Sequence, residues 1–189
     1  MSTNNLAQKF YGNAIISVSN GQIIAKVEDI LIDPDALQVT ALVTAKRGGG
    51  LLQREHEVDL ILGDKVQVWG QDAVLVTAPD VIVKESETPG SEKWLSVSEQ
   101  LKGRDVISID GRRIGQLNDV ALDVKGALVE YDLGQVFIEG PIAQSKRIAV
   151  ETTHALGQDV LIVKMVETVE TALPAEPDAN SEEGYIIEE

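Results

Sequence analysis

Short hydrophobic runs rich in Val and Ile recur along the chain, and each is bounded by polar residues or glycine. Runs of this kind predict β-strands, because β-branched side chains pack well on a pleated surface. Two further segments, Leu6–Tyr11 and Ser96–Lys102, each predict a single helical turn ahead of a group of strands. The predicted strands cover residues 15–18, 37–43, 66–69, 74–76, 106–109, 127–129, 136–138, 148–150 and 160–163.

The pattern of hydrophobic runs occurs twice. Residues 12–33 align with residues 103–123 at an offset of 90 residues, which places Asp29 on Asp119. A second match follows at an offset of 87 residues and pairs the sequence GQDAVLV with GQDVLIV. Two matches in the same order indicate a duplicated domain.

Each copy contains a turn signal directly after its first strand. Asn20-Gly21 ends one strand and Asp110-Gly111 ends its counterpart. These dipeptides predict two-residue hairpins of type I′, in which both central residues have positive φ. Several short strands joined by such turns predict a small barrel, which closes its own sheet edges.

The segments between and after the copies have a different composition. Residues 84–93 are charged and contain Pro-Gly, and residues 171–189 hold six acidic residues and no basic ones. The first composition is typical of a linker, and the second buries too little apolar surface to order itself. We therefore predict a first unit at residues 1–83, a linker, a second unit at residues 94–170 and a disordered acidic tail.

Composition and charge narrow the class of protein. Hydrophobic residues make up 43% and aromatic residues 4%, so the core consists mainly of aliphatic side chains. The chain has no cysteine, which excludes thiolate catalysis and disulfides, and its net charge of −15 opposes direct binding to nucleic-acid phosphate. No run reaches the roughly 18 apolar residues of a membrane helix, and no secretory signal is visible, so the expected location is cytoplasmic.

The repeated motif resembles the PRC-barrel family, named after the cytoplasmic domain of the H subunit of photosynthetic reaction centres. The family pattern is a strand, an x-Gly turn, a hydrophobic and a small residue, and then a hydrophobic-x-Asp-hydrophobic step. Ala25 departs from this pattern, since the family usually has glycine there. The resemblance implies an all-β fold of two tandem PRC-type barrels without catalysis of their own. The residues that carry it are Asn20, Gly21, Ile24, Ala25, Val27, Asp29 and Ile30, and then Asp110, Gly111, Ile114, Gly115, Leu117, Asp119 and Val120.

Residues capable of catalysis or metal binding are few. His56 and His154 lie at unrelated places in the repeat, without the spacing of a triad or a metal site, and are interpreted as surface or loop residues. Asp29 and Asp119 form either a paired carboxylate site or, preferably, two structural carboxylates that bond backbone groups at strand bulges. Gly48–Gly50 predict a hairpin loop rather than a phosphate loop. No catalytic residue, cofactor or metal site is predicted.

Candidate partner-binding residues belong to three surface features. Two basic pairs lie beside turns, a tryptophan opens the second unit, and an apolar triplet lies in the acidic tail. The alternatives that involve no partner are a solvated face for the basic pairs, packing between the two barrels for the tryptophan, and a solubilising role for the tail. The candidates are Arg112, Arg113, Lys146, Arg147, Trp94, Tyr185, Ile186 and Ile187.

The predicted function is that of a non-catalytic module that binds a protein partner or a multiprotein complex. One expected partner is a photosynthetic or electron-transfer complex, approached from the cytoplasmic side without membrane insertion. The family resemblance also implies an alternative, a ribosome-maturation or RNA-processing-related factor that binds a basic ribosomal protein. Homo-oligomerisation stays open.

Overall fold

The computed structural model describes residues 5–45 and 58–164, and its strands confirm the all-β prediction. The first unit contains β2 (Ala14–Ser17), β3 (Ile23–Asp33), β4 (Gln38–Ala45), β5 (Asp59–Leu62), β6 (Val66–Trp69), β7 (Ala73–Val76) and β8 (Ile82–Lys84). The second unit contains β10 (Asp105–Ser108), β11 (Arg113–Leu122), β12 (Leu128–Val136), α1 (Pro141–Ser145), β13 (Arg147–Ala149), β14 (Thr153–Leu156) and β15 (Val160–Val163). Two very short strands, β1 (Asn5–Leu6) and β9 (Leu95–Ser96), lie ahead of the units.

The two units share one sheet topology. The order is β6-β7-β2-β3-β4-β5-β8 in the first unit and β14-β15-β10-β11-β12-β13 in the second. In both, the only described parallel contact joins the first strand of the unit to the strand of the GQD match, β2 to β7 and β10 to β15. The internal repeat is therefore a repeat of structure. Among the described residues the end strands of each sheet do not pair with each other, so the expected closure of the barrels is not seen.

The hairpins form where the dipeptides predict them, but with a different turn. Gly21 has φ of 72° and Gly111 has φ of 84°, whereas neither Asn20 nor Asp110 has positive φ. The backbone bonds from Gly111 N to Ser108 O (2.9 Å) and from Ser108 N to Arg112 O (2.9 Å) enclose a three-residue loop. The type I′ prediction is therefore wrong, because longer loops need positive φ only at the glycine.

The lead-in segments of the two units are exchanged. The short strand β1, ahead of the first unit, pairs with β11 of the second unit, with Leu6 opposite Ala121. The strand β9, ahead of the second unit, pairs with β3 of the first, with Ser96 opposite Leu31. Helical turns follow at Ala7–Phe10 and Val97–Leu101, as the sequence predicted. Because the repeat offset of 90 relates these pairs, the exchange is reciprocal.

One hydrophobic core extends across both units. Trp69 of β6 is 5% exposed, and Phe10 of the first lead-in meets it edge to face with ring centroids 5.4 Å apart. On the other side, a Cβ added to Gly126 in the β11–β12 turn would lie 2.4 Å from Trp69 Nε1. An isolated backbone bridge joins Gln38 to Ala127 beside this contact. The units thus pack against each other as one body of strands and turns.

The structure differs from the predicted strands at the boundary of β12. The run at 136–138 is not a separate strand, since β12 continues without a break from residue 128 to Val136. The predicted linker, residues 84–93, contains two 3-10 turns, Glu85–Glu87 and Ser91–Lys93. Lys84 itself ends β8, where its ammonium lies 2.6 Å from the Asp59 carboxylate.

Candidate protein-interaction site

The carboxylate of Asp29 fixes the exchanged lead-in of the second unit. It lies at a register shift of β3, where it accepts from Ile30 N at 2.8 Å and from Ser98 N at 3.2 Å. The Ser96 hydroxyl also donates to it, and the Tyr11 hydroxyl donates at 3.1 Å. Because Asp29 is only 7% exposed, these donors replace the water that its charge would otherwise require.

Asp119 of the second unit fixes the lead-in of the first unit in the same way. It lies at a register shift of β11 and accepts from Val120 N at 2.8 Å and from Gln8 N at 3.1 Å. Gln8 is 90 residues before Ser98, so the two carboxylates hold equivalent turns of the opposite units. These bonds confirm the structural interpretation of the repeated aspartates as acceptors of backbone groups at bulges.

Burial shifts the pKa of Asp119 and of Tyr11. It raises the pKa of Asp119, against the lowering effect of the Gln8 and Val120 amide donors. The pKa of Tyr11 is raised, first by burial and then by the neighbouring charge of Asp29. Tyr11 therefore remains protonated at physiological pH and keeps donating its hydroxyl hydrogen to Asp29. The cluster is suited to holding the two units together.

The candidate arginines lie at the hairpin of the second unit. Arg113 donates to the Asp105 carboxylate at 2.7 Å, and its guanidinium lies 4.5 Å from the centre of the Phe137 ring. Arg112 precedes it in the turn, and its side chain is exposed. The structure therefore uses Arg113 within its own unit, while Arg112 extends to solvent.

An apolar row crosses four strands on the outer face of the first unit. Val68 of β6 lies opposite Leu75 of β7, Leu75 lies beside Ile16 of β2, and Ile16 lies opposite Ile23 of β3. The end residues Ile23 and Val68 are 43% and 44% exposed, and the two middle residues are half-buried. We call Ile23, Ile16, Leu75 and Val68 the apolar row.

The corresponding row of the second unit differs at both ends. Arg113 lies opposite Ile107, Ile107 lies beside Ile162, and Ile162 lies opposite Ala155. Arginine thus replaces isoleucine at one end and alanine replaces valine at the other. The apolar row is therefore specific to the first unit and is not a requirement of the shared fold.

Lys146 and Arg147 lie at the edge of the second sheet. Lys146 has φ of 55° at the end of α1, and Arg147 begins β13. Arg147 donates to the Glu130 carboxylate at 2.7 Å. The two basic pairs are thus separated, since β12 lies between the strands of Arg113 and Arg147.

Trp94 lies between the linker and the first unit. It is half-buried and packs against the small cluster of Leu31, Ala41 and Leu60 on that unit. It also lines an open cleft of about 620 Å³, together with Arg104 and several acidic residues. This position matches the packing interpretation, and a partner role for Trp94 stays a prediction.

Several predictions fall outside the described residues. His56, Gly48–Gly50 and the triplet Tyr185, Ile186 and Ile187 are in this group. His154 is described, and it is exposed on β14. Within residues 5–45 and 58–164, no group of three His, Asp or Glu side chains is placed to hold a metal ion. No helix in this part of the chain is long and apolar enough to cross a membrane.

Sequence reasoning missed the apolar row as a site. The sequence assigns Val68 and Leu75 only to predicted strands, and it does not place either of them beside Ile23. The signal that could have found them is the alternation of each strand, since Val68 and Trp69 must point to opposite faces. What the sequence did not supply was the register that places the four side chains side by side.

These features define a pair of small β-domains with structural acids at their junction and a partly exposed apolar row on one copy. Residues 3–82 match the family model described as PRC-barrel domain. The first unit is therefore a PRC-barrel domain, as the motif around Gly21 and Asp29 implied. A search of curated proteins finds no match to the chain. Membership of this family indicates a protein-interaction or assembly module in general.

Proposed function

We propose that the chain is a non-catalytic assembly module that binds a protein partner through the apolar row of its first unit. On this proposal the partner belongs to a membrane-bound electron-transfer complex and is met on the cytoplasmic side. The apolar row carries the proposal. Contiguous exposed apolar residues surrounded by polar ones mark interaction sites, because water contact with such a patch is unfavourable.

The position of the row supports binding rather than folding. Its residues lie on the face of the sheet opposite Ile15, Val74 and Val76, which are fully buried in the core. The second unit keeps the core residues and loses the ends of the row. A side chain that the fold does not need, and that remains apolar at 43% exposure, is best explained by a surface that covers it.

Charge defines the chemistry of the partner. The chain carries a net charge of −15, so an approaching basic surface is attracted and an acidic one is repelled. The partner therefore presents apolar side chains within a rim of lysine or arginine. Association with such a partner should weaken in high salt through a slower on-rate, while the apolar contact itself persists.

The experiment compares two charge-introducing variants in affinity capture from native lysate with mass spectrometry. Ile23→Arg installs in the first unit the residue that the second unit has at Arg113. Val124→Lys is the matched control, because Val124 is 61% exposed in a turn of the second unit. We expect one reproducible basic partner of an electron-transfer complex with the wild type and Val124→Lys, reduced at least tenfold with Ile23→Arg.

Three results would contradict the proposal. Equal recovery of the partner with Ile23→Arg would show that the apolar row does not bind it. Absence of any reproducible partner would remove the assembly role. Recovery of ribosomal proteins, with co-sedimentation in ribosomal fractions of a sucrose gradient, would instead assign the chain to ribosome assembly. Circular dichroism of each variant verifies that the fold is retained.

A further inference from the structure

A second set of side chains borders the apolar row on the same face of the first unit. Ala14 of β2 lies opposite Lys26 of β3 and beside Ala73 of β7. The two alanines come two residues before Ile16 and Leu75 on their strands, and side chains two residues apart in a strand point to the same face. The apolar row is therefore flanked by two small, half-buried alanines and by the exposed side chain of Lys26.

The second unit has a polar network at the equivalent place. There Asp105 takes the position of Ala14, and it lies opposite Gln116. The Asp105 carboxylate accepts from the Arg113 guanidinium at 2.7 Å and from Gln116 Nε2 at 3.1 Å. The first unit has Ile23 and Ala14 where the second has Arg113 and Asp105. The same fold thus forms with either surface, and the apolar surface of the first unit is wider than the row itself.

The backbone beneath this surface is paired within the sheet. β2 is hydrogen-bonded to β3 on one side and to β7 on the other, and β7 lies between β2 and β6. The face therefore offers side chains to a partner, whereas the peptide groups of β2 and β7 are bonded to their neighbouring strands. A segment that covers the face loses water and must satisfy its own backbone groups. An α-helix does so because its backbone bonds are internal.

The dimensions of the apolar row match a short helix. The row crosses four strands, and neighbouring strands lie about 4.8 Å apart, so its ends are about 14 Å apart. A helix rises about 1.5 Å per residue and covers this distance in about ten residues. The small side chains of Ala14 and Ala73 leave space beside the row, so that the helix backbone can approach the sheet closely.

We propose that the apolar row binds an amphipathic α-helix of the partner protein, about three turns long, which lies along the row from Ile23 to Val68. This inference rests on the proposed function and names the structural element that the partner presents. The apolar side chains of the helix, at positions i, i+3 or i+4 and i+7, contact Ile16 and Leu75.

Charge specifies the polar side of the helix. Lys26 is exposed and lies opposite Ala14, so a helix along the row passes its ammonium group. An acidic residue of the helix, next to its apolar side, pairs with Lys26. The other polar positions of the helix are mainly basic, because the whole chain carries a net charge of −15.

The test selects binders from a phage-displayed library of random peptides of about 16 residues, long enough for four helical turns. The target is the full-length protein, with Ala14→Asp and Ile23→Arg as parallel targets. Both variants install a residue that the second unit accommodates, Asp105 or Arg113. We expect peptides enriched about tenfold or more on wild type over both variants, with apolar residues at helical spacing.

Two outcomes of the selection would overturn the helix. Enriched peptides with alternating apolar residues, or with proline-rich sequences, would show that the row binds an extended segment. Equal enrichment on wild type and on both variants would place peptide binding outside the row. Capture of the lysate partner equally by wild type and Ile23→Arg refutes the proposed function, whereas row-dependent peptides without helical spacing refute the helix alone.

A charge exchange tests the position of the helix, with one selected peptide and fluorescence anisotropy. Lys26→Glu should weaken binding about fivefold, and replacing the acidic residue of the peptide by lysine should restore it. Lys125→Glu is the matched control, because Lys125 is exposed in the turn between β11 and β12 of the second unit. Equal losses for the two variants, or no restoration by the exchanged peptide, would refute the proposed position.

A proline substitution in the selected peptide reports on helix formation directly. Proline at a central, outward position breaks the helix without removing an apolar contact, and binding should fall about a hundredfold. Alanine at the same position is the control and should leave the affinity unchanged. Equal binding of the proline and alanine peptides would contradict a helical partner.

Discussion

Replacing Gly126 by alanine tests the contact between the two units. Gly126 lies in the β11–β12 turn with φ of 81°, and an added Cβ would lie 2.4 Å from Trp69 Nε1. Trp69 is 5% exposed and also meets the Phe10 ring, so its indole has little room to move away. The substitution should therefore force the second unit away from the first.

The magnitude follows from a comparison with Gly111. That residue has nearly the same backbone, with φ of 84°, but nothing lies within 4 Å of an added Cβ. Gly111→Ala costs only the left-handed conformation, about 1–2 kcal/mol. Gly126→Ala costs the same strain and in addition about 1–3 kcal/mol for overpacking against Trp69. The difference between the two variants isolates the contact between the units.

Urea unfolding followed by circular dichroism gives the free energy of unfolding of each variant. Tryptophan emission adds a local readout, because displacement of Trp69 should shift its emission to longer wavelength in Gly126→Ala alone. Equal losses of stability for Gly111→Ala and Gly126→Ala would refute the packing described between the turn and Trp69. An unchanged emission spectrum would lead to the same conclusion.

Three further substitutions test the junction of the two units and the contact of Arg113 with Phe137. Asp29→Ala removes the acceptor of the buried Ile30 amide and of the partly buried Ser98 amide, and should lower the free energy of unfolding by about 2–4 kcal/mol in urea titrations; a loss below about 1 kcal/mol would contradict its structural role. Burial raises the pKa of Asp119 in the folded state above its unfolded value of about 3.9. The protonated carboxyl therefore stabilises the fold fully below the unfolded pKa, and this stabilisation is lost as the pH rises through the folded pKa. The stability of wild type relative to Asp119→Asn should therefore fall over that pH window, and a constant difference would exclude the effect. Phe137→Ala removes the ring over which the Arg113 guanidinium lies and should cost about 0.5–1 kcal/mol, a loss that a preceding Arg113→Gln substitution should abolish in a double-mutant cycle.

The repeat predicted most of the fold because its signals are local. The turn glycines, the β-branched runs and the GQD match each specify a few neighbouring residues, and the strands were found where these signals lie. The exchange of the lead-ins was not predicted, since Leu6–Tyr11 precedes the first unit and nothing in its composition assigns it to the second. The position of this lead-in depends on its pairing with β11 and on the bond from Gln8 N to Asp119, a residue 111 positions further along the chain.

The candidate site was predicted only in part for a similar reason. The sequence predicts Arg113 as a partner-binding candidate because it belongs to a basic pair beside a turn. The structure adds its hydrogen bond to Asp105 and its contact with the Phe137 ring, and its partner role stays a prediction. Ile23, at the equivalent position, gains significance only beside Ile16, Leu75 and Val68. Such a row depends on register across four strands, whereas sequence patterning reports one strand at a time.

The exchanged lead-ins also constrain the order of events during synthesis. When the first unit has left the ribosome, Asp29 has no Ser98 amide to accept from until that residue has also emerged. The turn at Ala7–Phe10 likewise waits for Asp119, which is translated 111 residues after Gln8. At about 5–20 residues per second the N-terminal unit spends several seconds with an incomplete junction. Neither duplicated domain therefore completes its junction before the other has been synthesised, and both junctions form only late in the synthesis of the chain.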